Sequence, residues 1–305
     1  MSSNPTDHAT RDVQSRVALV GCRMFPGLYS DDVLLLRALI DRGVRAEAVL
    51  WDDLAADWSA YDLAVIRETW DYPARRDEFV AWAHRVPRLA NPADVIEWNT
   101  DKHYLQDLAA AGVPSTPTTY LPPGAAWTPP VGGEWVIKPT ISVSSQHTGR
   151  YAMPAQAELA AAHIADLHGA GRTAMVQPYL AAVDTVGETS VLCTPDTAGE
   201  LSFSHAIRKG PLLTGPAQPR DPEDYEEDIR PRSPSAAELA VAETALAAVP
   251  GGPERLLYAR VDLIPGPDGA PLLAELELTE PSLFLRWGGA GAAERLADAI
   301  LARIG

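Results

Sequence analysis

The chain has 305 residues, 46% of them hydrophobic, and a formal net charge of -16. That is ample for a sizeable core split into two or three lobes, and the acidic balance argues against nucleic-acid or anionic-membrane partners, which select basic patches. No run approaches the roughly 20 apolar residues that cross a bilayer, and Cys22 and Cys193 lie too far apart for a disulfide framework or zinc site, so a reducing cytoplasm is the simplest setting.

The start, "MSSNPTDHATRDVQS" (1–15), is polar and lacks a signal-peptide apolar core, so it reads as a disordered leader. "RVALVGC" then reads as a buried strand. Cys22 at its end is either a reactive thiol or, more simply, a small buried hydrophobe. "DDVLLLRALIDRG" has helical spacing, acidic residues at its start and Gly43 at its end. "AEAVLW" and "DLAVIR" follow as strands and "RRDEFVAWAHRV" as a helix. Strands alternating with helices imply a parallel, Rossmann-like α/β unit. There is no G-x-G-x-x-G after the first strand, so a dinucleotide oxidoreductase is excluded. Ligands gather at the carboxyl ends of such strands, where "RETWDY" falls. Arg67 there suits a two-pronged grip on a substrate carboxylate, with Trp70, Asp71 and Tyr72 shaping the pocket. An Arg–Asp surface pair over packed aromatics fits the same spacing.

"NTDKHYLQDLAAAGVP" reads as one helix, capped by Asn99 or Thr100 and stopped at Gly112 and Pro114. Lys102 in its first turn opposes the helix dipole, which makes sense if it faces an anion. After a Pro-rich connector come a strand, "EWVIKP", ending in Lys138, and a loop of small polar residues, "TISVSSQHTGRY". "TAMVQPYL" is another strand, and "TSVLC" and "LSFSHAIR" pair around "TPDTAGE". The stretch 210–234 is too polar and Pro-rich for regular structure, and its acidic run reads as a mobile surface loop. A helix, "AAELAVAETALAAV", precedes the last hairpin.

That hairpin carries the chemistry. "LLYARVDLI" and "PLLAELEL" flank the turn "PGPDGA". With a register symmetric about that turn, Asp262 shares a face with Glu275 and Glu277, and Glu280 follows just beyond. Three carboxylates on one patch are unfavourable unless a cation neutralises them, and hard oxygen ligands suit Mg²⁺, which shares its coordination with phosphates. Lys102 and Lys138 can supply the remaining positive charge for a nucleotide triphosphate. No P-loop is present.

The order Lys102, Lys138, small-residue loop, "VQPYL" with Glu188 after it, "SHAIRK", Asp262 and "AELELTEPS" resembles the ATP-grasp superfamily, in its glutathione-synthetase-like branch, from about residue 91 to the end. The resemblance implies an α/β fold, α+β in the grasp lobes. A Rossmann-like substrate-side domain (16–98) would precede a two-lobed ATP-grasp domain (99–305), whose smaller lid lobe spans about 115–178. It implies that Lys102, Lys138, Ser142, Ser144 and Ser145 bind ATP phosphates. Gln177, Tyr179 and Leu180 would line the adenine hinge, with Glu188 near the ribose. Asp262, Glu275 and Glu277 would hold two Mg²⁺ ions; many relatives have Asn at the last position. His205, Arg208 and Lys209 would face the γ-phosphate and the reacting carboxylate, with Lys138 and Arg208 neutralising charge. The loop "SVSSQHTG" departs from the usual glycine-rich form, which puts its closing behaviour in doubt. His147 within it reads as a solvent-facing or phosphate-contacting side chain rather than a catalytic one.

The implied reaction is an ATP-dependent carboxylate–nitrogen ligation through an acyl phosphate, on a small-molecule carboxylate and amine. Segments of the form "RxxWDY", "WNTDKxYL" and "ELEL.EPSLFL" are similar to one subset, the cyclo-ligases that close O-ureido-serine to cycloserine. An intermolecular ligase of amino acids or small acids with amines is the alternative, and a non-catalytic nucleotide-binding regulator a further one. Homo-oligomerisation stays open.

Overall fold

The computed structural model describes residues 14–25, 27–29, 31–218 and 228–305. Most of the expected leader and of the acidic stretch 220–230 lies outside them. The first apolar run forms β1 (Arg16–Gly21), followed by α1 (Asp32–Asp41), β2 (Arg45–Leu50), β3 (Leu63–Glu68), α2 (Arg76–Ala83) and β4 (Leu89–Ala90). The strands are parallel in the order β2-β1-β3-β4. β1 and β3, in the middle, are continuously apolar over 17–20 and 63–66 because both faces are covered. The loops after β1 and β3 leave from the carboxyl ends of central strands, the usual place for a ligand, and carry Phe25, Tyr29 and Trp70.

The next segment differs from expectation. Instead of one helix there are two, α3 (Ala93–Asn99) and α4 (Tyr104–Ala110). Asn99 ends the first rather than capping the second, because its amide is engaged elsewhere: Nδ2 donates to Leu276 O at 2.8 Å and Oδ1 accepts from Leu278 N at 2.8 Å. Asp101 turns the chain by accepting from His103 N at 3.1 Å, and Lys102 N donates to Thr140 O at 2.9 Å. Lys102 thus projects from a turn, not from a helix's first turn, and the dipole conflict disappears.

A small antiparallel sheet, β5-β8-β6-β7, comprises β5 (Thr119–Leu121), β6 (Gly133–Pro139), β7 (Gly149–Met153) and β8 (Ala174–Pro178). Helix α5 (Ala157–Gly169) buries Ala160, Ile164 and Leu167 against it. The large antiparallel sheet, β11-β10-β9-β12-β13, comprises β9 (Glu188–Pro195), β10 (Leu201–Lys209), β11 (Ile229–Pro231), β12 (Ala259–Pro265) and β13 (Pro271–Glu277). β11 corrects the expectation that 210–234 is wholly irregular: its three residues pair with Ile207, Arg208 and Lys209. Helices α6 (Ala236–Ala247), begun by a Ser235/Glu238 capping box, and α7 (Ala292–Ile304) complete the fold.

The register of β12 with β13 decides which face the carboxylates take. Near the turn Leu263 pairs with Leu273, which would set Asp262 against Ala274 and turn Glu275 toward Val261 and the core. A bulge at Ala274 shifts the register, so that Asp262 pairs with Glu275 and Arg260 with Glu277. The common face is reached through this extra residue and not through the symmetric register expected.

β13 is an edge strand, yet its outer backbone is covered. Tyr104 Oη accepts from Leu276 N at 2.9 Å, Asn99 bridges Leu276 and Leu278, and Leu273 exchanges hydrogen bonds with Pro114 and Thr116. The segment 99–116 thus acts as a surrogate neighbour and fixes where Glu275 and Glu277 stand.

Candidate active site

The three sheets surround one cavity of about 970 Å³. Lys138 sits at the end of β6, and its Nζ meets Glu275 Oε1 at 2.5 Å across the cleft between the lobes. Lys102 Nζ donates to Ser142 O at 2.8 Å, tying the turn after α3 to the serine loop. That loop supplies Ser142, Ser144 and Ser145 to the cavity wall. It makes its tight turns without glycine: Ser144, Ser145 and His147 adopt φ of 49°, 52° and 54°. A side chain in that region typically loses about 1–2 kcal/mol per residue, so the loop trades local strain for hydroxyl donors. Gly149, at its end, is required sterically, because a Cβ there would lie 2.4 Å from Ala217 N.

Gln177, Tyr179 and Leu180 line the cavity where β8 leaves the small sheet. Gln177 Nε2 donates to Thr118 Oγ1 at 2.8 Å, and the Arg150 guanidinium covers Tyr179, 3.6 Å from its ring centre. Glu188 and Lys209, paired across β9 and β10, form an ion pair on the cavity wall, and Lys209 Nζ also reaches Asp262 Oδ2 at 3.1 Å.

Arg260 completes the wall. Two residues before Asp262 on β12, it shares that residue's face, donating to Asp262 Oδ2 at 2.9 Å and to Glu277 Oε1. Burial works against the Asp262 charge, yet Arg260 and Lys209 hold its carboxyl well below the usual range. Burial likewise opposes Glu275, but Lys138 and Lys102 draw it down to about 2. Glu277 moves the other way: its burial outweighs the pull of Arg260 and pushes it up. Arg260 was missed in the sequence, although the R-x-D spacing on a strand was the available signal.

Four expected site residues stand elsewhere. Arg67 is wholly buried, its guanidinium held by Asp32 Oδ1 at 2.7 Å and Pro281 O at 2.8 Å, so it clamps the fold and is not among the residues that line the cavity. Asp71 accepts from Trp51 Nε1 at 2.8 Å, away from the cavity. Arg208 alternates to the opposite face of β10 from Lys209 and bonds Val186 O and Asp228 Oδ2, each at 2.9 Å. His205 packs under Gly288, with Nε2 on Leu283 O at 2.9 Å. Trp70 and Tyr72 do line the cavity, together with Phe25, Tyr29 and Glu280, which the sequence did not single out for a role.

Among the described residues, no three His, Cys, Asp or Glu side chains stand arranged to hold a metal ion unaided. Arg260 contacts Asp262 and Glu277, and Lys138 contacts Glu275. The donor set nevertheless fits Mg²⁺, an ion commonly held by one or two carboxylates and completed by phosphate oxygens. No helix among the described residues is long and apolar enough to cross a membrane.

A family model described as "D-cycloserine synthetase DcsG, N-terminal domain" matches residues 17–91. Across 289 residues the chain is 36% identical to the cycloserine biosynthesis protein DcsG of Streptomyces lavendulae, covering 88% of this chain and 92% of that protein. The crystal structure of D-cycloserine synthetase DcsG superposes with a TM-score of 0.81 at 35% identity, over 95% of this chain and 100% of that one. A RimK domain ATP-grasp protein from Sphaerobacter thermophilus, 20% identical, shares the fold with a TM-score of 0.63 over 93% of this chain and 99% of that one.

Proposed function

The chain belongs to the DcsG family of ATP-grasp ligases, and from that premise we propose that it uses ATP to close O-ureido-D-serine to D-cycloserine through an acyl phosphate. The observation that carries the reading is a single cavity walled by lysines and serines on one side, the Arg260–Asp262–Glu275–Glu277 hairpin on another, and the aromatic end of the parallel sheet on a third.

In the first step a carboxylate oxygen of the substrate attacks the γ-phosphorus, the bond to ADP breaks, and an acyl phosphate forms. In the second, the nitrogen attached to the ureido oxygen attacks the acyl carbon and phosphate leaves. The carbamoyl carbon departs, with water, as carbon dioxide and ammonia. Lys102 and Lys138 neutralise the phosphates, and Ser142, Ser144 and Ser145 give hydroxyl donors above them. Gln177, Tyr179 and Leu180 seat the adenine, and Glu188 the ribose. Arg260 takes the role expected of Arg67 and Arg208, holding the reacting carboxylate in line. Lys209 positions Asp262. Asp262, Glu275 and Glu277 would hold Mg²⁺, which when bound neutralises charge on the transferred phosphoryl group. Closure of the lobes keeps water from the acyl phosphate.

The test is phosphate release from ATP and Mg²⁺ with O-ureido-D-serine as the sole organic substrate, with products weighed by mass spectrometry. The expected product is lighter than the substrate by one carbon dioxide and one ammonia. Release that requires a second amine, with a heavier condensed product, would overturn ring closure in favour of intermolecular ligation.

A further inference from the structure

The carboxylates on the cavity wall are matched to cations with one exception. Asp262 and Glu277 share Arg260, Glu275 has Lys138, Glu188 has Lys209, and Asp32 has Arg67. Asp31 lies 3.6 Å from Arg286 and Asp228 2.9 Å from Arg208. Among the described residues Glu280 alone on that wall lacks an ion-pair partner. Its side chain is partly buried and hydrogen-bonded with Tyr72. Its carbonyl accepts from Trp70 Nε1 at 3.3 Å, which joins the end of the carboxylate hairpin to the aromatic end of the cavity.

Three rings line that end. Phe25, Tyr29 and Trp70 pack edge to face, with centroids 5.2 Å apart for Phe25–Trp70 and 5.8 Å for each pair with Tyr29. Aromatic faces beside a carboxyl group without a direct ion pair favour a cation, through charge pairing and through the ring quadrupoles.

We propose that Glu280, against the wall of Phe25, Tyr29 and Trp70, receives the α-ammonium group of an amino-acid substrate. The inference rests on the amino-acid substrate of the proposed function and names the group that recognises it. Glu280 stands three residues beyond Glu277, whose carboxylate meets Arg260. An α-amino acid has its carboxylate one carbon from its ammonium, so a zwitterion seated here finds for one end a carboxyl that the ammonium holds in its ionised form, and a guanidinium for the other. Burial and then the charge of Glu277 push the Glu280 carboxyl up to about 8 against the more distant pull of Lys102 and Arg260, and an ammonium seated beside it would draw it back down.

The experiment is calorimetric titration of the full chain and of Glu280→Gln with O-ureido-D-serine and with its analogue lacking the α-amino group. ATP affinity, expected within about twofold of wild type, reports that the variant is folded. Wild type is expected to bind the amino compound at least about 30-fold more tightly than the analogue, and the variant to bind the two alike, since a desolvated charge pair truncated on one side loses that much or more. A variant that keeps the wild-type preference, or a wild type that has none, would overturn the assignment. If wild type binds neither compound, D-serine and 3-hydroxypropionate are the probes. A preference for D-serine that the variant loses would reject O-ureido-D-serine as the substrate and uphold Glu280. No binding of any of the four would overturn both.

Discussion

Arg67 has the features of a substrate clamp in sequence: an arginine at the carboxyl end of a central parallel strand, followed by Trp70 and Tyr72. Its surroundings assign it a different task. The guanidinium is enclosed by Asp32, Pro281 O and the Tyr258 ring, whose centre lies 5.3 Å away, so it joins the parallel sheet to the segment after β13. Arg67→Ala leaves Asp32 without its counter-ion in a buried place and should cost about 3–5 kcal/mol of stability, read as a lowered urea midpoint. A variant as stable as wild type but weak in substrate binding would restore the clamp. Residue type and position were legible here; direction was not, because adjacent strand residues face opposite sides and sequence does not say which side is the cavity. The same holds at Arg208 and Lys209, where only the lysine points inward.

At the scale of elements, alternation along "AELEL" made a strand with a charged face readable, as did the strand–helix order of the first ninety or so residues. The bulge at Ala274 was not readable, since a small residue in a strand gives no signal that it stands unpaired. Nor was the break between α3 and α4, which depends on Asn99 finding β13 some 177 positions away. That contact makes a prediction of its own. Asn99→Ala removes the bridge across Leu276 and Leu278 without touching any proposed ligand-binding group of Glu275 or Glu277. Turnover should fall about 10-fold or more while circular dichroism stays native. Undiminished kcat would mean that the hairpin holds its carboxylates without this support. The serine loop is a third case: the scarcity of glycine put its closing behaviour in doubt, and the left-handed backbone that glycine would usually take falls at serine and histidine.

A boundary near residue 98 separates the parallel sheet from the rest in chain order, yet the core crosses it. Leu296 and Ile300 of α7 pack with Leu35 and Leu39 of α1, and Tyr258 and Leu283 join the same cluster. The last helix therefore closes the first unit, so the aromatic end of the parallel sheet and the carboxylate hairpin are fixed relative to one another while the small sheet covers them. That arrangement puts the residues proposed to recognise the amino acid, the phosphates and the reacting carboxylate around one cavity, as a carboxylate-activating ligase requires.

The central claim is that the substrate's own carboxylate oxygen attacks ATP. O-ureido-D-serine labelled with ¹⁸O in its carboxylate tests it directly when the phosphate released in unlabelled water is analysed by mass. Transfer of one ¹⁸O atom into phosphate is the predicted result, and unlabelled phosphate accompanying full product formation would contradict it.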